Sequence, residues 1–121
     1  MTPSQAILAA AQQEWEIRDS LDRSIKIRKL TALDTLRLFK AAGPVLSQNE
    51  PWISVASLAT SVVEIDTIPV PTPASESQIE AMVARLGDEG LSAISDFLDA
   101  NTERATSDRL DNLGNSPGTL I

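Results

Sequence analysis

The chain has no cysteine, no histidine and no tyrosine, and its only aromatic side chains are Trp15, Phe39, Trp52 and Phe97. The absence of cysteine excludes disulfides and thiolate metal sites. The absence of histidine removes the commonest general base and the commonest neutral metal ligand, so the usual zinc sites and imidazole-based catalysis are gone as well. Serine and threonine are frequent, but a hydroxyl nucleophile needs an activating base, and no Ser-x-x-Lys pair is present. Two carboxylate pairs are left, Asp88 with Glu89 and Glu64 with Asp66. Acid–base chemistry requires two carboxyls in unlike environments within a cleft, whereas these pairs fall at a helix start and a helix end, where capping and solvation account for them. The stretch from Asp111 to Thr119 is not a calcium loop, because its third position is Leu113 and the closing glutamate is missing. These absences point away from an enzyme and from any cofactor. They leave a protein that works by binding other protein.

Long hydrophobic runs are also lacking. The longest uncharged apolar stretch, Trp52 to Val63, is well short of the roughly 20 residues that span a bilayer. The first 13 residues have neither the basic start nor the apolar stretch of a secretory signal. The net charge of −7 is unevenly spread: residues 1–40 carry seven basic groups against five acidic (+2), and residues 41–121 carry three against twelve (−9). Strong acidity argues against nucleic acid, whose binders gain affinity by neutralising phosphates. The asymmetry permits a head-to-tail contact between copies of the chain.

At 121 residues the length suits one domain, and few aromatics imply a core of Leu, Ile, Val and Ala. Residues 3–12 suit a short alanine-rich helix with Pro3 in its first turn. Trp15 and Ile17 alternate with charged residues, as do Ile25 and Ile27, so the two runs predict an antiparallel hairpin. Thr31 is placed to cap a helix in which Leu33, Leu36 and Phe39 share a stripe, with Leu38 beside it, and Gly43-Pro44 ends it. Asn49-Glu50-Pro51 opens a second helix, predicted to run to Val63. Its face of Trp52, Val55, Ala56, Ala59, Val62 and Val63 is uncharged, which implies a central helix or one completed by a second chain. Ile65 to Pro73, with alternating prolines, predicts an extended connector. Ser75 and Gln78 form a capping box for a helix ending at Gly87, and Asp88 caps another ending near Ala100. The pattern therefore predicts a mostly helical α+β fold over residues 1–100: a small antiparallel β-hairpin packed against four to five short helices. Residues 101–121 are polar and aperiodic, and predict a flexible C-terminal tail.

The block from Arg28-Lys29-Leu30-Thr31 through Leu33-Asp34-Thr35-Leu36-Arg37-Leu38-Phe39-Lys40 to Gly43-Pro44, followed by Leu46 to Trp52, resembles bacteriophage and prophage tail assembly chaperones. So does the run from Ile79-Glu80-Ala81 to Arg85-Leu86-Gly87-Asp88-Glu89-Gly90. The likeness covers roughly residues 13–98 and departs at Thr67, where glycine is expected in a tight turn after Ile65-Asp66. The resemblance implies a helper in the host bacterial cytoplasm that coats the long apolar tape measure protein and keeps it soluble. It also implies recruitment of tail tube protein, self-association as a homo-oligomer, absence from the finished virion, and in many relatives a longer frameshifted form. The rival reading is a small regulatory adaptor or antitoxin-like module.

Two groups of residues are candidates for such binding. Leu36, Phe39, Trp52, Val55, Ala59 and Val62 supply either a docking surface or the core of the monomer. Lys26, Arg28, Lys29, Arg37 and Lys40 either dock an acidic client or acidic neighbour, or form a solvated face. No membrane or nucleic-acid partner is expected.

Overall fold

The computed structural model describes residues 2–6 and 13–114, with side chains placed as far as residue 101. Strands β1 (Glu14–Arg18) and β2 (Ser24–Arg28) form the hairpin that their alternation predicts, Trp15 opposite Ile27 and Ile17 opposite Ile25. Ile25 and Ile27 are fully buried, and Trp15 and Ile17 pack against the same core. The Trp15 ring meets the Phe97 ring at 5.8 Å between centroids, tying the edge strand to the last helix.

The sheet has four strands rather than two. Strand β3 (Val62–Ile65) lies antiparallel to β2, and β4 (Ile68–Pro69) closes the order β1-β2-β3-β4. The helix that begins at Glu50 therefore stops at Thr60 instead of reaching Val63. Two local causes are visible. The Thr60 hydroxyl turns back to donate to the Ala56 carbonyl (2.7 Å), the Ser61 hydroxyl donates to Leu58 (2.6 Å), and the Ser61 carbonyl accepts from the Arg28 backbone N–H of β2 (2.9 Å). Val62, Val63 and Ile65 are β-branched and fit a pleated, half-buried surface; Val62 and Ile65 are buried, while Glu64 faces Lys26 across the strands.

Residues Asp66 and Thr67 make the two-residue turn between β3 and β4, with φ of 51° and 68°. Two positive φ angles match the hairpin turn for which Asn-Gly and Asp-Gly are favoured. The tight turn thus forms with threonine where the resemblance suggests glycine. Asp66 anchors it, its N–H donating to the Ser24 carbonyl (2.7 Å) and its Oδ1 accepting from the Ser24 N–H (2.9 Å). A left-handed backbone costs a residue with a Cβ about 1–2 kcal/mol. Thr67→Gly is accordingly expected to stabilise the fold by about 1 kcal/mol and to raise the melting temperature by several degrees. An unchanged or lower melting temperature would contradict a left-handed Thr67.

Of the helices α1 (Ala32–Leu46), α2 (Glu50–Thr60) and α3 (Glu76–Gly114), the last two pack on the sheet and α1 packs on both of them, with a further helical turn at residues 3–6. Their starts are those the sequence marks. The Thr31 hydroxyl accepts from the Asp34 N–H (3.2 Å), Asn49 Oδ1 from the Trp52 N–H (3.1 Å), and Ser75 Oγ from the Gln78 N–H (3.3 Å). Gly43 (φ 84°, ψ 174°) breaks α1, and Pro44 opens one further turn; Gly87 (φ 66°, ψ −177°) breaks α3 into two arms. The backbone remains helical to Gly114, where the composition predicts an irregular tail from residue 101. Residues 7–12 of the predicted first helix and residues 115–121 lie outside the described residues.

The core has two parts. Ile25, Ile27, Ala59, Val62, Met82, Leu86 and Ile94 pack between sheet and helices, and Leu38, Ala56 and Ile79 pack beneath α1. A buried ion pair fixes the hairpin to the break in α3. Asp19, whose side chain is fully buried, accepts from the N–H groups of Leu21 (3.0 Å) and Arg23 (2.9 Å) and from Arg23 Nε (2.7 Å). Arg23 then donates to the carbonyls of Arg85 (3.0 Å) and Leu86 (2.5 Å), the last before Gly87. These are carbonyls that a helix end leaves without partners. No helix among the described residues is long and apolar enough to cross a membrane.

Candidate protein-docking surface

Helix α1 is apolar on two opposite faces. At 3.6 residues per turn, Leu38 and Ala42 lie on one side, and Leu33, Leu36 and Lys40 on the other. Leu38 and Ala42 are the buried pair, and Leu38 packs on Ala56 of α2 and Ile79 of α3. Leu33, Leu36 and Phe39 are 52%, 65% and 40% exposed. The predicted stripe is therefore turned outward, and the residue read as flanking it is the one that enters the core. On the Leu38 side Ala42 is buried and Ala41 packs against the smaller core cluster. Val45, beyond the break, is 80% exposed.

The start of α1 is rigidly attached to the sheet, so the outward face has a fixed bearing. Arg28 of β2 grips Asp34 with both terminal nitrogens (2.5 and 3.0 Å). The same carboxylate accepts from the Thr31 N–H (2.8 Å), completing a capping box. The hydrogen bonds from Arg28, with those from Thr31, hold the Asp34 carboxyl well below the usual carboxylate range, overriding the opposing effect of burial. The Asp34 carboxylate in turn holds Arg28 above its ordinary value.

The other proposed contact residues divide. Ala59 and Val62 are 1% and 3% exposed and belong to the main core, Val62 on β3 rather than on a helix. Neither offers surface to a partner in this fold, because the sheet and α3 already cover them. Trp52 is half-buried against the smaller core cluster, and Val55 is exposed. These two, with Ala56, Ile79, Glu80 and Val83, line an open groove of about 240 Å³ between α2 and α3. The basic residues divide as well. Lys26 pairs with Glu64 (3.2 Å), which pushes its ammonium pKa up, and Arg28 is engaged by Asp34. Lys29, Arg37 and Lys40 are exposed and form no ion pair among the described residues.

The two carboxylate pairs sit in different surroundings. Glu64 is held by Lys26 and Asp66 by the Ser24 backbone. Asp88 and Glu89 lie with Arg18, Asp19 and Asp96 around an open polar hollow of about 380 Å³. Among the described residues no group of three His, Cys, Asp or Glu side chains is placed to hold a metal ion. No protein-family model, curated protein or solved structure matches the chain. Sequence reasoning missed Leu33 and Val45 as exposed apolar positions, and it missed the Asp19–Arg23 pair altogether. An acid four residues before an arginine across a predicted hairpin loop was the available signal for the pair.

Proposed function

We propose that the chain is a tail assembly chaperone of the bacteriophage and prophage kind, acting without catalysis. It binds the tape measure protein in the host cytoplasm and keeps it soluble while tail tube subunits are recruited. The observation that carries this reading is the outward face of α1, where Leu33, Leu36 and Phe39 are exposed on a helix whose opposite face is already packed. A helical client can lay its own apolar side chains along such a face at i, i+3 and i+4 spacing. The resemblance across roughly residues 13–98 supports the choice of client. Copies of the chain self-associate on this reading, and none remains in the finished particle.

The test is co-expression with the tape measure protein, which this reading expects to be encoded by a very long reading frame just downstream of the gene. Leu33→Gln/Leu36→Gln removes apolar surface without adding charge, and glutamine matches leucine in helix propensity. Because both sites are exposed, stability should hold to within about 0.5 kcal/mol per site. The unaltered chain is expected to retain the client in the soluble fraction and co-purify with it; the double variant is expected to lose both. A double variant that keeps the client soluble would overturn the reading.

A further inference from the structure

We infer that the outward face of α1 is selective for an amphipathic helix whose apolar stripe is flanked by carboxylates, an inference that rests on the reading of this face as the docking surface. Leu33 and Arg37 stand four residues apart on α1, as do Leu36 and Lys40, so each exposed leucine has a cation one turn further along the same face. Lys29 adds a third exposed cation in the segment leading into the helix. The neighbouring cations Lys26 and Arg28 already hold Glu64 and Asp34, whereas these three hold no carboxylate among the described residues. In a chain of net charge −7, a positive apolar face is the exception to the surrounding field. Association with acids alongside the apolar contact strengthens as docking removes water from between the charges. A basic helix with the same stripe meets repulsion at each turn.

The partner is another protein rather than a second copy. The chain's own acids are concentrated along α3, which carries nine of the 17, from Glu76 to Asp111. Among its described side chains, as far as residue 101, the apolar stripe of that helix is already buried: Ile79, Met82, Leu86 and Ile94 are core residues, and none of the exposed large hydrophobic side chains lies on it. Over the described side chains, a second copy offers carboxylates without the apolar stripe that must accompany them.

Two labelled 18-residue helical peptides with the same leucine stripe, one flanked by glutamates and one by lysines, test this against the full chain by fluorescence anisotropy. The glutamate peptide is expected to bind at least tenfold more tightly at low ionic strength, with the difference shrinking in high salt as exposed charges are screened. Arg37→Glu/Lys40→Glu, at two exposed sites, is expected to reverse the preference while leaving the melting temperature unchanged. Equal binding of the two peptides would overturn the charge selectivity and leave the docking surface standing. Binding of neither would overturn the docking surface itself. Self-association of the chain that blocks the peptide and is lost in the charge-reversed variant would overturn the inference in favour of a second copy.

Discussion

Asp19→Ala is expected to remove about 3–5 kcal/mol of stability, the cost of leaving one member of a buried ion pair alone. That is a large share of the roughly 5–15 kcal/mol a domain has. The Asp19 side chain is fully buried and Arg23 is 21% exposed. Removing the carboxylate leaves a mostly buried guanidinium without its counter-charge and takes the partner away from two backbone N–H groups of the hairpin loop. Arg23 also holds the last carbonyls of the first arm of α3, so the damage should reach the helix break, about sixty residues on in sequence. The double variant Asp19→Leu/Arg23→Met removes the unpaired charge but leaves two loop N–H groups and two helix-end carbonyls without partners, so it should not restore the stability that Asp19→Ala loses. Chemical denaturation of the three proteins would decide it, and a harmless Asp19→Ala would contradict the arrangement.

The same carboxylates set the acid limit. Burial pushes the Asp19 carboxyl up, but hydrogen bonds and charge from Arg23, with the Leu21 N–H, outweigh it and leave the group below its ordinary value. Asp34 is lowered further, by Arg28 first. A group whose pKa falls on folding stabilises the fold fully above the unfolded value, about 3.9 for aspartate. That contribution is lost as the pH falls through the folded value, because the unfolded chain then binds more protons. Stability should therefore decline below about pH 4, and Asp34→Asn should flatten that decline while lowering stability at neutral pH.

The second large effect is at the elbow of α3. Gly87 has φ 66° and ψ −177°, a region open essentially to glycine alone and costing other residues about 1–3 kcal/mol. An added Cβ would also come within 3.0 Å of Glu89 Oε2, although that side chain can swing away. Gly87→Val, β-branched, is expected at the upper end of that range, about 3 kcal/mol. The loss should exceed that of Gly43→Ala, where a Cβ meets nothing within 4 Å. If Gly87→Val melts as the unaltered chain does, the elbow is not where the two arms of α3 turn.

The elbow was readable in the sequence, and the reason is local chemistry. Gly87-Asp88 and Gly43-Pro44 combine a residue free to take positive φ with one suited to restart a helix, and both breaks occur. The hairpin was readable because Trp15, Ile17, Ile25 and Ile27 alternate with charges. Strand β3 was not, because Val62 and Val63 continue the apolar run from Trp52, and a short buried strand cannot be told from a helix end by periodicity alone. Nor was the orientation of α1. Leu33, Leu36 and Phe39 outweigh Leu38 and two alanines in hydrophobicity, yet it is the Leu38 and Ala42 side that is buried, and which of two apolar faces meets a neighbour is set by tertiary packing that periodicity does not carry. The role of Arg23 depends on carbonyls in a distant helix, which no local pattern signals.

The central claim, that the outward face of α1 receives the client, is tested most directly by methyl NMR of the full chain with and without the tape measure protein. The largest changes are expected at the methyls of Leu33 and Leu36, with the α2–α3 groove at Val55 and Val83 little affected. Changes confined to Val55 and Val83, with Leu33 and Leu36 unmoved, would contradict it.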